Sequence, residues 1–224
     1  MLSIADTDNC HAVFVAAILV CMTTLARGPR LGEYLLFSDS GTSDWVPLLR
    51  GIGALLDKFG EEKIFSGPLK QFACKSAQAT QPAAQYIKLK RLDWLTQLHQ
   101  LRNMVMLSHR TTAANDLEVL DDLYRCFQAV TVGKDNEYQS YGINSLAFIW
   151  VYRLRENYVL RLRQKEPIPL IIFAHFSVLL SSLQHFWFVS KWPQHILNGV
   201  SRALDPAYKE WLRWPEAALY KMSE

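Results

Sequence analysis

Cysteine is scarce in this 224-residue chain: four residues, at positions 10, 21, 74 and 126, with no two close enough for a Cys-x-x-Cys clamp or the crowded thiolates of a binuclear zinc cluster. Such spacing predicts reduced, mostly buried thiols in an intracellular protein. Gly-x-Ser-x-Gly, a phosphate-cradling glycine loop and His-Glu-x-x-His are all missing. No convincing run alternates apolar with polar residues, which argues against strands. Charge of one sign is not in large excess either. The net charge is +3 and the isoelectric point about 8.6, too little for a protein that gains affinity by neutralising phosphates. The basic clusters, Lys88, Lys90 and Arg91 and then Arg153, Arg155, Arg161, Arg163 and Lys165, read as solvated helix faces. No direct nucleic-acid contact is therefore expected. An apolar run of fourteen, Ala12 to Leu25, has aspartates before it and Thr23 and Thr24 near its end. It is shorter than the ~20 residues of a spanning helix and lacks the positive start of a secretory signal, so a buried helix is expected and no membrane span.

What the chain does have is apolar mass. Half of its residues are hydrophobic and seven are tryptophan, enough for a well-filled core or for an apolar pocket. Period-3.6 patterning dominates, which predicts an all-α fold in a single helical domain. The first helix spans about 11–26 and stops at Gly28-Pro29. After a Ser-, Gly- and Asp-rich loop at 38–44, Asp44 is placed to cap a helix with Pro47 in its first turn and a stripe of Leu48, Leu49, Ile52, Leu55, Leu56 and Phe59. Residues 60–85 read as a loop with one short helical turn. A helix over 86–108 aligns Leu92, Leu95, Leu98, Leu101 and Val105, and Asn115 with Glu118 predicts a capping pair for the next one, which Gly133–Asp135 ends. Two short helices, 146–152 and 157–165, lead to a segment apolar nearly all round, Ile168 to Val189. Such a helix must be surrounded by others, so it is expected at the centre. Amphipathic helices at 193–204 and 207–221, split by Asp205-Pro206, complete the chain.

Catalysis fares poorly on these residues. His175, His185 and His195 recur every ten positions, which on a straight helix sets neighbours about 15 Å apart, too far to share a metal ion. Asp121-Asp122 is an adjacent acidic pair whose members diverge by about 100° on a helix, which suits solvent rather than joint acid–base work. No catalytic residue, metal site or cofactor is assigned, and the chain is expected not to be an enzyme.

One arrangement goes further. The C-terminal third orders a Leu/Arg helix (NYVLRLRQKEP), a nearly all-apolar helix (IPLIIFAHFSVLLSSLQHFWFV), a Lys191-Trp192 step and a closing Trp211-Leu212-Arg213-Trp214-Pro215. Asn9 to Ala26, Arg27-Gly28-Pro29 and Trp45 to Leu56 (WVPLLRGIGALL) precede it in matching order. Over most of its length the chain resembles the C-terminal regulatory domain of fungal zinc-cluster (Zn2Cys6) transcription factors of the sterol uptake control type. The zinc cluster is absent, so the resemblance implies a partial regulatory, ligand-sensing domain over 1–224 without a DNA-binding domain. It also implies a nuclear protein that shuttles with the cytoplasm. Members of the family carry further helices upstream, which leads to the expectation that this chain begins partway into the domain.

In the sterol uptake control type the domain binds ergosterol, so the resemblance implies a sterol or another apolar small molecule as ligand and control of transcription as the output. Phe148, Trp150, Phe173, Phe176, Leu180, Phe186, Trp187 and Trp192 are the residues expected to wall a cavity, because rigid rings enclose an apolar ligand without needing compensating hydrogen bonds. His175, Ser177 or Ser181 would supply the polar contact for a sterol hydroxyl. Tyr208, Trp211, Leu212 and Trp214 would form a lid or switch. The competing expectation for each is plain core packing, and for the whole chain a helical scaffold for protein contacts or a homodimer.

Overall fold

The run of small and apolar residues after Asn9 forms helix α1, Cys10–Ala26, whose Cys10, Phe14, Ala17, Cys21 and Leu25 turn inward. Gly28, at φ 78°, ends it as a residue without a Cβ does most readily. The structure is a computed structural model, and it describes residues 6–40, 43, 45–66, 69–70, 84–108, 110–132 and 146–223. Helix α2, Trp45–Phe59, and the one-turn α3, Glu61–Ile64, follow. Asp44, the expected cap of α2, lies outside the described residues, as does much of the loop expected over 60–85.

Next come α4, Ala84–Lys90, α5, Trp94–Leu107, and α6, Ala113–Val132. The single helix expected over 86–108 is thus two. Arg91 and Leu92 bond back to Lys88 and Leu89 three residues earlier, which tightens and ends α4, and the chain restarts after Asp93 so that both Leu89 and Trp94 are buried. Leu95, expected on the inner stripe, is 43% exposed. The expected capping pair also falls inside its helix: α6 opens at Ala113, before Asn115, and Glu118 pairs with Arg155 at 3.0 Å instead.

The C-terminal half holds α7, Leu146–Arg153, α8, Glu156–Arg163, α9, Pro167–Ser181, α10, Trp192–Ala203, a 3₁₀ helix, Pro206–Leu212, and α11, Arg213–Ser223. Asp205 accepts from the Ala207 amide at 2.8 Å and starts the 3₁₀ helix. Among the described residues every regular element is helical, so the fold is all-α, with a lone bridge between Glu33 and Ser38 as its only β pairing.

α9 is central. Each of its residues from Ile168 to Ser181 is buried, and it packs against α10, α11, α6, α7 and α8. It is shorter than the helix expected over 168–189, for a local reason. Ser177, Ser181 and Ser182 turn their hydroxyls onto the carbonyls of Ala174, Val178 and Leu179 at 2.6–2.7 Å, a side-chain bond that competes with the helical ladder. The amides of Ser182, Leu183 and Gln184 then bond three residues back, and the chain passes into tight turns through Ser190.

Candidate functional site

The expected ligand-binding residues fall into separate groups. Trp150 on α7 stacks on Phe176 of α9 with ring centroids 4.5 Å apart, and Phe173 stacks on Phe176 at 5.6 Å. All three are fully buried. Trp150 also donates its indole N–H to the Val119 carbonyl at 3.0 Å, which ties α7 to α6. Leu180 continues the Phe173–Phe176 face of α9 and is buried, whereas Phe148 is half-buried. Phe186 and Trp187 are in the turns beyond α9, where Phe186 packs on Phe188 and Trp187 is 73% exposed. Trp192 starts α10, meets Trp45 edge to face at 5.9 Å and donates to the Leu25 carbonyl at 3.2 Å. Trp150, Phe173 and Phe176 therefore touch one another, while Trp192 touches Trp45 and the backbone.

The polar candidates are equally engaged. Ser177 and Ser181 spend their hydroxyls on α9 itself. His175 faces away from the Phe173 side of α9, donates Nδ1–H to the Ile171 carbonyl at 2.9 Å and stacks on Trp214 at 5.3 Å. Burial pushes its imidazole down to a pKa of about 4, opposed in part by the Ile171 bond, so the ring is neutral at pH 7. Of the expected lid, Leu212 is fully buried, while Tyr208, Trp211 and Trp214 are half-buried against the core. His185 is in the turns after α9, and His195 on α10 bonds the Glu33 carbonyl at 2.8 Å through Nε2. The three histidines therefore do not share one helix.

Two features were not read from the sequence. The first is the loop Gly32–Asp39, closed by the Glu33–Ser38 bridge and by the Asp39 amide on the Gly32 carbonyl. Its tip, Tyr34-Leu35-Leu36-Phe37, is buried throughout. Phe37 meets Phe173 edge to face at 6.1 Å, and Tyr34 stacks on His195 at 5.1 Å. Leu35 holds a φ of 68°, a left-handed conformation that costs a branched side chain free energy and persists only when its surroundings enforce it. The signal was present, four consecutive apolar residues between Gly32 and Ser38-Asp39-Ser40. It carries no helical period, so periodicity alone gives it no element.

The second is a buried ion cluster. Arg161, read as part of a solvated face, is 4% exposed and holds the wholly buried Asp116 through two bonds of 2.6 and 2.9 Å. Its Nε donates to Glu166 at 2.9 Å. Lys165, at φ 61°, closes α8 in the left-handed conformation and so turns Glu166 back towards Arg161. Burial raises the Asp116 carboxyl while the Arg161 guanidinium pulls it back. The cluster locks α6 to α8.

Two hollows among the described residues are open ones. One of about 570 Å³ is lined by Phe59, Gly60, Glu62, Lys63 and Ser66, and one of about 290 Å³ by Leu98, His99, Arg102, Leu120, Asp121 and Tyr124. Neither includes an expected ligand-binding residue. Asp121 is ion-paired with Arg102, and Asp122 with Arg125, so the adjacent acids serve different partners. Cys10, Cys21 and Cys126 are free and buried, and Cys74 lies outside the described residues. Among the described residues no helix is long and apolar enough to cross a membrane, and no group of three or more His, Cys, Asp or Glu could hold a metal ion. No family model, curated protein or solved structure matches the chain.

Proposed function

We propose that this chain is a non-enzymatic regulatory domain of the fungal zinc-cluster transcription factor type, and that it receives a sterol or other apolar small molecule beside α9 when the Tyr34–Phe37 loop withdraws. The observation that carries this reading is the strained, wholly buried tip of that loop set against the Phe173 ring of an all-apolar helix. Because Trp150, Phe173 and Phe176 already touch one another, the site is made by displacement and not entered as a standing hollow. A ligand that prefers the open packing shifts the population towards it, by no more than its differential affinity for the two states. The vacated apolar surface would take the sterol rings, and Tyr208, Trp211 and Trp214 would repack as the output. Ergosterol is the first candidate, on the resemblance described above, with nuclear control of transcription as the context.

Thermal unfolding with and without ergosterol tests this. At a free concentration of about 100 Kd, linkage gives roughly 2.7 kcal/mol of added stability, which for a domain of this size raises Tm by roughly 5–10 °C. A second reading, a helical scaffold for protein contacts, is favoured by the self-filled interior. No shift with any sterol or fatty acid would leave that reading in place of the first.

A further inference from the structure

α1 is apolar on both sides, yet among the described residues only one side is covered. Turning outward along it are Ala12, Val15, Ala16, Leu19, Val20, Met22 and Thr23, with Leu19 58% and Met22 39% exposed and the Thr23 hydroxyl donating to the Val20 carbonyl. At 100° per residue they occupy an arc of roughly 160°. No Asp, Glu, Lys or Arg occurs between Cys10 and Ala26, whereas exposed Asp6 and Asp8 precede the helix and exposed Arg27 and Arg30 follow it.

We infer that this face binds a second copy of the same chain, with the two α1 helices antiparallel about a two-fold axis. The inference does not depend on a ligand entering the core. Its basis is self-complementarity, as an isologous contact demands. Setting Leu19 of one copy over Ala16 of the other puts a large side chain on a small one twice over. The same register brings Val15 opposite Val20 of the second copy. It also brings the exposed Asp8, two residues before the helix, alongside the exposed Arg27 of the second copy, so that both acidic ends meet basic ends. A parallel pairing would oppose like charges at each end instead.

A lipid surface fits less well, because amphipathic helices that lie on membranes flank their apolar face with Lys and Arg, and the ionised residues here are acidic at one end. Size sets the strength. Seventeen residues give a helix about 25 Å long and roughly 10 Å wide, so the face supplies well under the ~800 Å² per partner of a stable interface. The dimer is accordingly weak and reversible.

Sedimentation equilibrium over a concentration series tests this on the full chain, with circular dichroism to check that each variant keeps its helices. Wild type is expected to show a reversible monomer–dimer equilibrium. Leu19→Glu, on an exposed position, sets two carboxylates near the axis and should weaken the dimer at least about 100-fold. Asp8→Arg and Arg27→Asp should each weaken it about 10-fold, and the two together should return it to within about 3-fold of wild type, because the reversed charges again oppose one another. A wild type that stays monomeric at the highest concentration reached, with or without binding to phosphatidylcholine vesicles, overturns the inference. So does a dimer indifferent to Leu19→Glu, or a double charge reversal no better than either single one.

Discussion

Lowering the pH from 7 to 5 should destabilise this domain through a single buried ring. His175 is enclosed between the Ile171 carbonyl, at 2.9 Å, and the face of Trp214, at 5.3 Å. Burial lowers its pKa from 6.5 to about 4. In the window between those values the unfolded chain binds a proton that the native protein refuses, so stability falls as pH falls through it and is fully present above the unfolded value. Integrated from pH 7 to pH 5, linkage makes that loss about 2 kcal/mol, or roughly 4–8 °C in Tm for this size. Carboxylates titrate as well, so the assay compares urea unfolding of wild type with His175→Phe, which keeps a ring against Trp214 and cannot titrate. The wild type should lose about 2 kcal/mol more than the variant over this interval. Equal pH dependence in the two proteins would refute the enclosure of His175, whichever of them is more stable at pH 7.

Gly199 on α10 lies directly beneath the Tyr34 ring, which is 1% exposed, so a Cβ there would overlap the ring carbons of the closed loop. Gly199→Ala should therefore cost about 1–3 kcal/mol despite the gain in helix propensity, measurable as a lower urea midpoint. Asp116→Ala should cost about 3–5 kcal/mol by leaving the Arg161 charge buried with Glu166 alone, whereas exchanging Asp116, Arg161 and Glu166 together for apolar residues of similar volume should cost far less. Phe37→Ala should lose about 3–5 kcal/mol as a large-to-small core change, and under the proposed function ergosterol should restore more stability to it than to wild type.

The all-α class and most helix ends were legible because period-3.6 runs stop at Gly28-Pro29, at Pro167 and at Asp205-Pro206. What misled was composition without geometry. Ile168 to Val189 is apolar throughout, but the serines at 177, 181 and 182 bond their own backbone, and the helix gives way to turns after Ser181. Arg161 belongs by sequence to a basic surface stripe, yet its partner Asp116 is 45 positions away, a pairing no local pattern encodes. Of the residues expected to wall a cavity, Trp150, Phe173, Phe176, Leu180 and Trp192 are buried. Whether rings leave a space or fill it depends on their mutual contacts, and here Trp150, Phe173 and Phe176 stack on one another with Phe37 edge-on to Phe173.

Equilibrium binding of a fluorescent sterol such as dehydroergosterol, read by energy transfer from the tryptophans and competed with ergosterol, tests the central proposal most directly. Binding should be saturable, and tighter in Phe37→Ala than in wild type because the opening cost has been removed. Saturable binding that is unchanged by Phe37→Ala, or no binding to either protein at any accessible sterol concentration, would contradict it.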